Sequence, residues 1–133
     1  MPNQKQSDPA LRLALMPGRY CVARLGPQSA IPVDFFAGEG FVSVTRSDDE
    51  LSLVYPEGRN LTVDQCESSW VGFRVLGVLD FALVGILARL SGALAEADIS
   101  LYALSTHDTD YLFVKANQEE AARAALGRVA TVL

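Results

Sequence analysis

The stretch GVLDFALVGILARLSGALAEADISLYALSTHDTD, residues 77–110, carries in succession a glycine turn, a patterned helix, a strand and a polar hairpin loop. Asp80 suits a helix N-cap, because its carboxylate can accept a hydrogen bond from an unpaired amide of the first turn. The spacing predicts a helix over 81–97. Leu83, Ile86, Leu87, Leu90, Leu94 and Ala97 recur at three- and four-residue steps and make one broad apolar stripe. Nearly opposite lie Gly85, Ala88, Gly92 and Ala95, a second stripe of small residues. Glycine inside a helix costs about 1 kcal/mol relative to alanine. Two of them on one face fit either close approach of a second helix or subunit, or a tolerated exposed surface. A strand is expected over 99–104 and another over 111–115, joined by the polar loop 105–110.

Reading outward in both directions extends the pattern. Upstream, the β-formers Trp70, Val71, Phe73 and Val75 predict a strand that ends at Gly77. Downstream, Asn117 followed by Glu120 is an N-terminal capping signature. The helix it opens holds Ala122 and Leu126 and stops at Gly127, and 129–133 reads as a closing strand. From Trp70 onward the order is therefore βαββαβ, the ferredoxin-like arrangement. Nearer the N-terminus, strands are expected over 11–15 and 20–25 around the turn Met16-Pro17-Gly18. A single helical turn is expected over 33–37, opened by Pro32. A hairpin follows over 41–45 and 50–55, and another short helical turn over 61–66. The stretch 20–76 thus reads as a second copy with its helices reduced to turns. The fold class is expected to be α+β, with two ferredoxin-like units whose antiparallel sheets carry helices on one face. The expected division is a disordered leader at 1–9, an N-terminal unit at 10–69 and a C-terminal unit at 70–133.

Composition narrows the function. Of 133 residues half are hydrophobic, enough for a buried core, and 16 acidic against 11 basic residues leave a net charge of -5. Such a balance argues against nucleic acid as partner, since phosphate binding wants a basic field. The apolar stretch after Gly77 is interrupted by Asp80, Arg89 and Glu96, and the first ten residues lack the apolar run of a signal peptide. No membrane association and a cytoplasmic location are the expectation. Cys21 and Cys66 form no CxxC motif; a single bridge is open to them, and Cys21, in an apolar strand pattern, is expected to be a buried thiol.

Catalytic constellations are nearly absent. The one histidine, His107, sits in the same loop as Ser105 and Asp108, too close along the chain for a triad assembled from separated segments. His107 with Asp108 and Asp110 offers a metal set no better than a solvated loop would. There is no GxxxxGK, GxGxxG or HExxH. No enzyme activity, metal or cofactor is expected. What remains is a binding geometry: free amides and the positive end of the helix dipole near Phe81 suit a carboxylate, and Asp80 suits an ammonium group.

The same residues resemble an ACT domain. The signature is the GLD-like turn at 77–80, the G-I-L-A-x-L helix, a helix-to-strand junction of the form pLAeAgIs, and the S-T-x-x-T-D-Y hairpin at 105–111. With the upstream YCVARL, Ile31-Pro32 and FVSVTR segments, the chain is similar to small bacterial tandem ACT-like proteins, related to aspartate kinase regulatory domains and to CASTOR arginine sensors. The resemblance covers nearly all of 11–126 and implies a regulatory protein that binds an amino acid at an interface between ACT units. It further implies that Asp80, Phe81 and Ala82 meet the ligand's α-amino and carboxylate groups. Thr106, Thr109 and Asp110 would border the pocket, with Ile31 closing it. Two such units are read here where the CASTOR sensors have four, so a homodimer is expected to complete the site. The rival expectation is a dimerisation module without a ligand.

Overall fold

The computed structural model describes residues 11–76 and 85–133. The expected leader, the Gly77 turn and the first residues of the predicted helix, with Asp80, Phe81 and Ala82, lie outside them. The described elements are strands Arg12–Leu15 (β1), Tyr20–Leu25 (β2), Ser43–Arg46 (β3), Leu51–Pro56 (β4) and Gln65–Val75 (β5), helix Ile86–Glu96 (α1), strands Tyr102–Ser105 (β6) and Asp110–Lys115 (β7), a 3-10 turn Ala116–Gln118, helix Glu119–Leu126 (α2) and strand Thr131–Val132 (β8). They fall into two compact units: Gly18–Trp70, and Val71–Leu133 together with the residues through Pro17.

In Gly18–Trp70 the strands run β3-β4-β2-β5, all antiparallel. Side chains alternate along a strand, so Cys21, Ala23 and Leu25 share a face with their partners Tyr55, Leu53 and Leu51. Phe35 completes this core. It lies edge-on to Tyr55, with ring centroids 6.0 Å apart. The turn that carries Phe35 is held from outside, where the Arg59 guanidinium donates to the carbonyls of Phe35 and Glu39. In place of the helical turn expected over 33–37 there are two reverse turns, with the Phe35 amide donating to the Pro32 carbonyl and the Ala37 amide to Asp34, because Asp34 takes the left-handed φ of +66°. The helical turn expected over 61–66 is not formed. Leu61 and Val63 pack against the core while Thr62 and Asp64 are exposed. That is a period of two rather than a helical one, and β5 begins after the bend at Asp64.

The second unit has the order β8-β1-β5-β7-β6. β1 lies between β5 and β8, antiparallel to the first (Leu13 opposite Val75) and parallel to the second (Leu13 opposite Val132). The expected division places 11–15 with 10–69, whereas β1 pairs entirely within the unit that begins at Val71. Its burial explains this: Leu11 and Leu13 enter the core formed by Val71, Phe73, Val75, Leu112 and Val114. Both helices cover this face through Ile86, Leu90, Ala93 and Leu94 of α1 and Ala122, Ala125 and Leu126 of α2.

Local signals set the helix ends, in two cases differently from expectation: α1 starts at Ile86 with Gly85 at its N-cap rather than inside the helix, and α2 lacks the Asn117 cap. Gly85, at the N-cap of α1, has φ +85°, a conformation that costs a residue with a Cβ. At the other end Asp98 has φ +60°, the Asp98 amide donates to Ala95 and the Ile99 amide donates back to Leu94. This is a Schellman cap, clasped by the buried pair Leu94 and Ile99. Asn117 does not cap α2: it lies inside the 3-10 turn, and Gln118 occupies the cap position without a side-chain bond. Glu119 and Glu120 in the first turn favour the helix dipole instead.

Candidate functional site

The hairpin loop between β6 and β7 begins and ends on the pair Ser105 and Asp110. The Thr106 amide donates to the Thr109 carbonyl at 2.9 Å, and the Thr106 hydroxyl donates to the same oxygen at 3.1 Å. Thr109 then turns inward. Its Oγ1 donates a 2.7 Å bond to the carbonyl of Val75, and the residue is 2 % exposed. The loop is thereby tied to Val75, the last residue of β5.

The sequence-predicted residues accordingly separate. Thr106 is exposed and Asp110 half-buried, both on this loop. Thr109 is enclosed, and its hydroxyl is bonded to the backbone of β5. Ile31 is 38 % exposed and belongs to the Gly18–Trp70 unit. Asp80, Phe81 and Ala82 are outside the described residues. The loop tip holds His107 and Asp108, whose Nδ1 and Oδ1 are 3.0 Å apart with both side chains largely in solvent. Among the described residues no three His, Cys, Asp or Glu side chains come together as metal ligands. No described helix is long and apolar enough to cross a membrane.

Sequence reasoning missed a groove of about 200 Å³ along the outer side of α1, lined by Ala88, Arg89, Gly92, Glu96, Arg128 and Val129 among others. Its rim carries an ion pair, Arg128 to Glu96 at 2.8 Å. The signal for it lay in the small-residue stripe: Gly85, Ala88, Gly92 and Ala95 are all exposed, and a Cβ added at Gly92 would meet nothing within 4 Å. No residue of the 105–110 loop lines the groove.

Comparison with known proteins agrees with this architecture. The family model described as ACT domain matches residues 65–128, from the first residue of β5 to just past α2. A second model, of an N-terminal domain, matches 18–59. A structure of a protein from Agobacterium tumefaciens is 33 % identical, with a TM-score of 0.85, covering 95 % of this chain and 94 % of that one. The mouse cytosolic arginine sensor for mTORC1 subunit 1 is 37 % identical over 93 residues, which are 67 % of this chain and 27 % of that protein. The chain therefore spans about a quarter of the length of this curated relative. The regulatory subunit of aspartate kinase from Thermus thermophilus shares the fold at 11 % identity, with a TM-score of 0.58 over 87 % of this chain and 95 % of that one. A βαββαβ unit with both helices on one face, the ACT match across it and the near full-length likeness to the Agobacterium protein lead to one conclusion: residues 65–128 of this chain are a domain of the ACT family.

Proposed function

We propose that this protein is a non-catalytic regulatory module that binds an amino acid and acts in the cytoplasm as a homodimer. The observation that carries the reading is the anchored hairpin: Thr109 fixes the 105–110 loop beside the point where β5 leads into 77–84. That holds a polar loop against the end of β5 within the ACT unit. Asp80, Phe81 and Ala82 are assigned to the ligand's α-amino and carboxylate groups, with Thr106 and Asp110 at the border. Thr109 acts as the loop's anchor. Ile31 belongs to the same proposal and is tested by Ile31→Ala. Arginine heads the ligand classes, because the mouse relative is named as an arginine sensor. Binding would favour one arrangement of the ACT units and so bias a partner's state.

The test is a thermal-shift screen against the twenty amino acids, followed by calorimetry. A ligand at about 100 times its Kd stabilises the folded state by about 2.7 kcal/mol. Asp80→Ala should remove that response. If no amino acid raises the melting temperature while the dimer persists, the ligand-binding reading falls. A second reading, a dimerisation module without a ligand, draws on the exposed Gly85, Ala88, Gly92 and Ala95 face of α1. It expects Gly92→Leu to dissociate the dimer in sedimentation, and an unchanged dimer would sink it.

A further inference from the structure

The two cysteines that the regulatory reading leaves unused stand together in the Gly18–Trp70 unit. Cys21 is on β2 and Cys66 on the neighbouring β5. Cys66 is the register partner of Ala23, and Cys21 precedes Ala23 by two, so both thiols project from the same face of the sheet along a diagonal. Ala23, directly opposite Cys66, presents only a methyl group beside the two thiols. From the other side Tyr55, the partner of Cys21 on β4, reaches across β2, and its hydroxyl lies 3.9 Å from the Cys66 sulfur. Cys21 is buried and Cys66 is exposed. The pairing of one solvent-facing thiol with one enclosed thiol is the arrangement in which an oxidised first cysteine meets a second as its resolving partner.

We propose that Cys66 and Cys21 form an oxidation site for hydroperoxides, in which Cys66 reacts first and Cys21 resolves it to a disulfide across β2 and β5. In the first step the Cys66 thiolate attacks the peroxide oxygen. An S–O bond forms, the O–O bond breaks, and hydroxide leaves and takes a proton as water. In the second step the Cys21 sulfur attacks the Cys66 sulfenic acid. The S–S bond forms, the S–O bond breaks, and the departing oxygen leaves as water with the proton of Cys21. Two thiols are oxidised by two electrons and one hydrogen peroxide is reduced to two waters.

The surroundings set the order and the pace. Burial pushes the Cys21 thiol up to about 12, with the adjacent Cys66 adding to the rise. Cys21 therefore stays protonated near neutral pH and is unreactive toward peroxide on its own, since the thiolate is the nucleophile. Resolution is correspondingly slow and speeds up as the solution becomes more alkaline. Diagonal neighbours on adjacent strands stand about 7–8 Å apart at Cα, whereas a disulfide wants about 4.4–6.8 Å. Closure thus needs the strands to draw together slightly. The ladder is already irregular at this point: its register shifts between Tyr20 and Val22, and Ser69 on the facing strand has φ +65°.

The experiment uses the full chain at pH 8 with hydrogen peroxide, then denaturation, alkylation and mass spectrometry without reductant. The expected product is a monomer about 2 Da lighter, with neither cysteine alkylated and a peptide pair joined through Cys21 and Cys66. Cys66→Ser should leave Cys21 fully alkylatable. In Cys21→Ala the Cys66 sulfenic acid should persist and be trapped by dimedone. The proposal is overturned if wild-type Cys66 proceeds to sulfinic acid or bridges two chains while Cys21 is still alkylated after unfolding. It is equally overturned if Cys66 does not react, or if Cys66→Ser loses its Cys21 thiol as fast as wild type. None of these readouts depends on an amino-acid ligand.

Discussion

Thr109 Oγ1 donates a 2.7 Å hydrogen bond to the carbonyl of Val75, joining the base of a polar hairpin loop to the end of a core strand 34 residues earlier. Thr109→Val keeps the shape and removes the donor, leaving a buried carbonyl short of a partner. That change should cost about 1–3 kcal/mol, read as a lower urea midpoint at unchanged slope. Thr109→Ser should retain most of the stability. If the loop borders a ligand, Thr109→Val also weakens binding through displacement of Thr106 and Asp110, and calorimetry would register it.

Asp98 occupies the left-handed position of the Schellman cap, with φ +60°. Only glycine adopts that conformation without a Cβ penalty. Asp98→Gly should therefore stabilise the protein by about 0.5–1 kcal/mol, seen as a melting temperature higher by a few degrees. A fall in melting temperature would mean that the Asp98 side chain contributes more than the strain costs.

Gly72 lies beneath the ring of Phe113. A Cβ built there would sit 2.4 Å from Met16 Cε and 2.7 Å from Phe113 Cε1. The methionine end can swing aside, but the fully buried ring cannot. Gly72→Ala should destabilise by about 1–3 kcal/mol, the usual cost of overpacking. Chemical denaturation tests this, and a neutral result would show that β5 and β7 separate more easily than their packing implies.

Burial raises Cys21 from 9.0 to about 12 and drives the Tyr55 hydroxyl up as well. Between the unfolded and folded values the unfolded chain has lost protons that the folded chain keeps. Stability is thus complete below about pH 9 and falls as pH rises toward 12, by at most about 1.4 kcal/mol per pH unit for each group. Denaturation midpoints measured from pH 8 to 11 should decline, and Cys21→Ala should flatten the slope. A flat wild-type profile would contradict the burial of this pair.

Local pattern determined much of this protein without help from tertiary structure. The four-residue spacing of Ile86, Leu90 and Leu94 marks α1, and these residues with Ala93 form its buried face. Alternation marks β2 over the range observed, Tyr20–Leu25. The order βαββαβ follows from such periods because each reports which side of one element avoids water. What lay beyond reach was long-range. Nothing in Leu11–Leu15 says that its partners are Phe73–Val75 and Thr131–Val132, since any apolar strand edge satisfies an alternating pattern equally well. The chain over 61–66 mixes apolar and polar residues at a spacing that suits a helical turn or a strand; the core beneath Leu61 and Val63 takes up alternate side chains, and no helical turn forms. Thr109 reads as one more polar loop residue, and only the return of the loop onto Val75 turned it into a buried anchor. The position of the 105–110 hairpin was therefore decided between distant segments, by the pairing of β7 with β5 and the buried Thr109 bond to Val75, whose value comes from excluding water once the fold has closed.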